Sequence, residues 1–216
     1  MIVVDSSSII SLAMNCLTPL MRIMREEFIV SPSVYEEIIS RPSSSKRFAF
    51  ESMRIRMLFD EGVLKMAESK SDLTDRILEK ANSLYNIKGR HLKIIHRAET
   101  EIIALASELG ADAMLLDERT TRLLLEDPYN LKELLSYRNK SKVRMDEGLL
   151  AELKGLLPDV PVIRSTELTA VAYERGFLKP YGGADKNVLL NALSALKFSG
   201  CSISWQEIDE YDKVVI

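Results

Sequence analysis

Apolar positions in this chain fall into two patterns: short runs that stop at an acid, and helical spacings that stop at a glycine. Ile2, Val3 and Val4 form a β-branched run closed by Asp5 and three serines, which predicts a buried parallel strand with Asp5 at its C-terminal edge. Helical spacing follows over 8–24 with a restart at Pro19, and 27–30 reads as a second strand. Ser31-Pro32-Ser33 supplies capping serines and a first-turn proline for a helix beginning at Val34.

The middle of the chain is less regular. A polar loop is predicted over 41–47, a helix over 48–59, a strand over 62–66 and a longer helix over 73–85 that ends near Gly89. The clearest α/β unit comes next, with a helix over 98–109 closed by Gly110 and a strand over 113–117 that again stops at an acid. A charged, partly helical insertion is expected over 126–159. Beyond it lie a strand over 160–163, a helix over 167–175 closed by Gly176 and an amphipathic helix over 187–198 closed by Gly200. Ser204 and Glu207 have capping-box spacing for a last short helix.

Composition narrows the functional classes. The 216 residues are 46% hydrophobic and 28% charged, which suits a globular chain and excludes disordered and collagen-like classes. With 29 basic and 32 acidic side chains the net charge is -3, so affinity for nucleic acid must come from a local basic surface. Cys16 and Cys201 lie far apart and only His91 and His96 could assist them, which argues against zinc or a disulfide framework. No run reaches the ~18 apolar residues of a membrane span and the opening lacks a basic leader, so the expected location is cytoplasmic, with no membrane partner.

The candidate chemistry is carboxylate chemistry. At about 100° per residue, Ile102, Ile103, Ala106 and Leu109 share one helix face, and Glu99 projects into that stripe while Glu101 lies well round from its centre. Asp5 and Asp117 end strands at the edge where parallel sheets place their sites. Glu37 lies nearer than Glu36 to the side marked by Val34 and Ile38. Acids gathered with almost no histidine or cysteine suit a hard cation such as Mg²⁺ or Mn²⁺. Each acid also has a structural role open to it: strand ends and caps for Asp5 and Asp117, solvated helix positions for Glu37 and Glu101. Four bases in seven residues, Arg138, Lys140, Lys142 and Arg144, are the best local site for phosphate contact or simply a solvated loop.

These segments together resemble the PIN-domain nucleases. Ile2-Val3-Val4-Asp5-Ser6-Ser7-Ser8 is similar to the family's opening strand and metal-binding Asp, and 31–38 to the segment that donates the second acid, with Glu37 in register. Ala98-Glu99-Thr100-Glu101-Ile102-Ile103 resembles the Gly-Glu-x-Glu-Ala-Ile form of one archaeal and bacterial branch, with Ala98 in place of Gly. Residues 115–122 are similar to the fourth-acid segment, with Glu118 in place of a second Asp. The last strand and helices fit the same branch, while about 41–95 and 127–158 look expanded.

The resemblance implies a single three-layer α/β/α domain over 1–216 with a mostly parallel sheet, and metal-dependent endonucleolysis of RNA. Asp5, Glu99 and Asp117 would hold Mg²⁺ or Mn²⁺, Glu37 would complete the catalytic set, and Ser7, Glu101 and Glu118 would support it. Arg119, Arg122 and the 138–144 bases would contact single-stranded RNA. A toxin-like role with an antitoxin-like partner, an RNA-processing role and a homodimer are all compatible with it. Two other readings compete: a PIN-like RNA-binding or assembly module with little or no turnover, and an aspartyl-nucleophile phosphohydrolase. The latter needs a second acid two residues after Asp5, where the chain has Ser7.

Overall fold

The computed structural model describes residues 1–43, 48–182 and 185–214. The chain opens with β1 (Ile2–Val4), α1 (Ser6–Met14), α2 (Pro19–Met24), β2 (Phe28–Val30), α3 (Pro32–Tyr35), a π-helical turn (Glu36–Ser40), α4 (Arg41–Ser43) and α5 (Ala49–Asp60). It continues through β3 (Leu64–Met66), α6 (Ser71–Leu84), β4 (Tyr85–Ile87), β5 (Arg90–His91), α7 (Arg97–Leu109), β6 (Ala113–Leu115) and α8 (Arg119–Glu126). The last part is α9 (Pro128–Asn139), β7 (Arg144–Met145), α10 (Glu147–Lys154), β8 (Val162–Ile163), α11 (Ser165–Glu174), a 3-10 turn (Lys179–Tyr181), α12 (Lys186–Phe198) and α13 (Trp205–Val214).

Five of the strands form one parallel sheet in the order β3-β2-β1-β6-β8. Val3 is opposite both Ile29 and Met114, and Leu115 opposite Ile163, so every strand of the centre is flanked on both sides. The chain winds outward from β1 to β3, then returns to the far side of β1 through α7. Since parallel crossovers are right-handed, the outward helices α1 and α5 cover one face and α7 the other. This is the three-layer α/β/α arrangement, and β1, β2 and β6 are fully buried in it, as near-continuous apolar runs require. Among the described residues no helix is long and apolar enough to cross a membrane.

Local punctuation explains where most helices begin and end. Ser31 caps α3 by accepting the Val34 N–H at 3.2 Å, with Pro32 at the first helical position. Gly110 ends α7 in the left-handed region at φ 61°.

Three expectations change. Of the polar loop at 41–47, residues 41–43 form the short helix α4, and 44–47 lie outside the described residues. The expanded segments are not separate excursions: they pair with each other. β4 makes a hairpin with β5 and a second antiparallel ladder with β7, giving a sheet in the order β5-β4-β7, while α6 packs on both α10 and α7. Tyr85, expected to end a helix, opens β4 instead, and its hydroxyl donates to the Pro128 carbonyl at 2.7 Å.

Candidate active site

Parallel strands feed helices at one edge of the sheet, so that edge carries strand-end acids and helix N-termini side by side. Asp5 is the N-cap of α1: its carboxylate accepts the Ser8 N–H at 2.7 Å and the Ser7 hydroxyl at 2.6 Å. Asp117 follows β6, the neighbour of β1, and is fully buried. It accepts both the N–H and the hydroxyl of Ser165 at 2.7 Å, at the first residue of α11. Strand pairing continues between the two acids, with the Asp5 N–H donating to the Leu115 carbonyl at 3.1 Å.

Each acid therefore rests on a helix start, and among the described residues neither has an ion-pair partner. Burial, aided by the Asp117 charge, outweighs the hydrogen bonds from Ser7 and Ser8 that favour the carboxylate, and the Asp5 carboxyl is pushed up to about 7 in balance.

Glu37 lies half-buried in the π-helical turn, and its carboxylate accepts the Ser6 hydroxyl at 2.6 Å, one residue from Asp5. Its neighbour Glu36 is exposed and faces Arg41 at 3.5 Å.

The α7 acids exchange the parts suggested by the helical stripe. Glu99 is half-buried and turns back to accept the His96 N–H at 3.1 Å, closing a capping box at the start of its own helix. Glu101 is buried; it accepts the Ser33 N–H at 3.3 Å and faces Arg97 at 3.2 Å. Ser33 stands just beyond β2, at the same sheet edge as Asp5. The stripe misled because every residue of α7 from Thr100 to Ala106 is buried, whereas Leu109, counted in the stripe, is 41% exposed. A helix covered by the sheet on one side and by α3 and α6 on others has no single core-facing stripe.

The supporting residues divide. Ser7 holds Asp5, but Glu118 caps α8 through the Thr121 N–H at 2.6 Å. Arg119 is exposed at the start of α8, two residues after Asp117, and Arg122 pairs with Glu126 at 3.3 Å. The 138–144 bases are all exposed, yet they do not form a free loop. Lys140 ends α9 in the left-handed region, Val143 is fully buried, and the Arg144 backbone pairs with Asn86. Of the four, Arg138 turns toward the first turn of α8, donating to the Thr120 hydroxyl at 3.4 Å.

Ser6, Ser33 and Ser165 were not singled out as holders of these acids. Their only sequence signal is position, since each lies in the first turn of a helix that follows a strand of the parallel sheet.

The donors at this edge are mainly carboxylates and hydroxyls, which fits a hard divalent cation; the buried Cys201 thiol also lies against Asp117 and Ser165, and burial pushes it up to about 12, so it stays protonated. A buried carboxyl pushed up to about 7 beside a second buried acid is an electrostatic arrangement that a cation would relieve. Among the described residues, however, no three His, Cys, Asp or Glu side chains are gathered closely enough to hold an ion. The fit therefore rests on the Asp5–Asp117 pair, with Glu37 and Glu101 standing by.

A doubly wound α/β domain with buried acids on adjacent strand ends belongs to the class of carboxylate-edged α/β domains. A family model described as a PIN domain, DUF3368, matches residues 1–127, more than half of the chain, and the chain belongs to that family. The PIN domain is generally a nuclease fold, and its members are generally dependent on divalent metal. No curated protein sequence matches the chain.

Proposed function

We propose that the protein is a metal-dependent endoribonuclease working at the edge formed by Asp5, Asp117, Glu101 and Glu37. The observation that carries this reading is the placement of Asp5 and Asp117 on adjacent parallel strands, buried, hydrogen-bonded and without a basic partner among the described residues. Asp5 and Asp117 would hold Mg²⁺ or Mn²⁺, with Glu101 and Glu37 reaching in through their longer side chains. A cation held there would supply Lewis acidity toward a phosphodiester and an activated water.

The chain's own residues do the positioning. Ser7 and the Ser8 N–H fix the Asp5 oxygens, Ser165 fixes those of Asp117, and Ser6 keeps Glu37 beside Asp5. No side-chain nucleophile is required, and Ser7 stands where an aspartyl-phosphate enzyme would need its second acid. Glu99 is left as a helix cap. Arg119 and Arg138 supply positive charge beside the acids to meet the RNA backbone.

Cleavage of a labelled single-stranded RNA in Mg²⁺ and in Mn²⁺, compared between the natural chain and Asp117→Asn, tests the reading. Losing an outer partner of a metal site costs about 10–100-fold, so removing a direct one should cost at least about 100-fold. The variant should remain folded, because Asn keeps an acceptor for the Ser165 N–H. RNA binding without cleavage in either metal would make the protein a binding module instead.

A further inference from the structure

Beside Asp117 runs an open groove of about 570 Å³ whose walls include Arg119, Arg122, Lys197, Phe198, Ser202 and Trp205. It is physically joined to the acidic edge, since the Ser202 N–H donates to the Asp117 carbonyl at 3.2 Å and Arg119 opens α8 two residues after Asp117. Two aromatic rings stand out of its wall: Phe198 is 80% exposed and Trp205 50%, stacked edge-to-face with centroids 5.6 Å apart. Lys197 Nζ lies 5.2 Å from the Trp205 ring centre.

The groove is basic in balance. Its one acid, Glu207, is matched by Arg164 at 2.8 Å, while Arg119 has no ion-pair partner among the described residues. Exposed rings beside cations are the chemistry that receives a nucleobase together with its phosphate.

Resting on the nuclease reading above, we propose that this groove is a subsite for single-stranded nucleic acid flanking the cleavage point. One base stacks against the Phe198–Trp205 pair while Arg119 and Arg122 bind an adjacent phosphate.

Trp205 is the only tryptophan in the chain, so its emission reports on the groove alone. The full chain would be titrated with a dye-labelled ten-nucleotide oligouridylate in Ca²⁺, following tryptophan emission and dye anisotropy together and checking the strand on a gel. Saturable quenching whose midpoint matches the anisotropy midpoint is expected, and an abasic strand of equal length should leave the emission unchanged. Loss of one stacked base corresponds to about 5- to 100-fold in affinity, the effect expected of Phe198→Ala, whose exposed ring should not be needed for folding. Arg119→Gln should lower the salt slope by ~0.7.

Anisotropy that saturates with unchanged emission, and with the same affinity in Phe198→Ala, would overturn the subsite while leaving the nuclease reading intact. A change in Trp205 emission that follows protein concentration without any strand would show the rings to be a protein contact and would also overturn it. Absence of both binding and metal-dependent cleavage would overturn the nuclease reading itself.

Discussion

The edge of the parallel sheet and the small β5-β4-β7 region are held together by different physics. At the edge, buried carboxylates face one another across adjacent strands and lean on helix N-termini, so the arrangement carries electrostatic cost. In the small region the cohesion is apolar and local to two helices and three short strands. Ile77, Ala81, Leu84 and Leu153 are fully buried or nearly so, and the exposed Lys80–Glu152 pair sits outside them. One region carries buried acids at an electrostatic cost; the other supplies stability with no buried carboxylate in its core, its one buried ionisable group being the Tyr85 phenol, which burial keeps protonated.

The largest expected effect concerns pH. Because the folded state raises the Asp5 pKa above its ordinary value, the folded protein binds the proton more tightly than the unfolded chain, and stability falls as pH rises. In EDTA the loss should run from about pH 4 to about pH 7 and reach up to about 4 kcal/mol. Asp5→Asn keeps the acceptor for the Ser8 N–H and should remove that slope, as read by urea unfolding at a series of pH values. A natural chain with no fall in stability across this window would break the contrast between the regions.

Next in size is a packing change in the small region. Leu153→Ala should cost about 3 kcal/mol through lost burial and a residual cavity. The pH dependence of unfolding should be unchanged, since no acid of the sheet edge is touched. A steepened or flattened pH profile in this variant would mean that the two regions are electrostatically coupled.

A third comparison sharpens the edge itself. Glu101→Gln should reduce metal-dependent cleavage by at least about tenfold, whereas Glu99→Gln should leave it within about twofold and cost only the ~1 kcal/mol of a helix cap. Equal losses in the two variants would return Glu99 to the metal set.

The smallest effect belongs to the β4–β5 turn. Lys88 and Gly89 both have positive φ, 49° and 82°, the conformation of a two-residue hairpin loop that favours Asn-Gly. Lys88→Asn should stabilise the protein by about 0.5 kcal/mol in denaturant unfolding.

The same contrast marks what could be read from the sequence. The central strands of the large sheet were legible because β1, β2 and β6 are buried apolar runs, two of them with a clear terminator, Asp5 after Val4 and Asp117 after the 113–116 run. β4, β5 and β7 were not, because none is a continuous apolar run, as the exposed Arg90-His91 of β5 shows, and β4 meets β7 only across a long stretch of chain, as Tyr85 does Met145. Lys in place of Asn before Gly89 also hid the hairpin. At the sheet edge, Asp5 and Asp117 were visible as strand-end acids, but the burial of Glu101 and the turn of Glu99 back onto His96 depend on the packing of α7 on its neighbours, which no periodicity records. The π-helical turn that carries Glu37 was likewise silent, since the run around it reads as ordinary helix.

Strand order has a consequence for synthesis on the ribosome. A nascent chain can make β1, β2 and β3 and lay them side by side, but the place next to Asp5 stays empty until β6 emerges more than a hundred residues later. Asp117 then waits for Ser165 to fix its oxygens. The strand ends that carry the two acids come together once β6 has emerged, but Asp117 is held by Ser165 only after about three quarters of the chain has been made, so the hydrogen-bonded edge is completed late in synthesis.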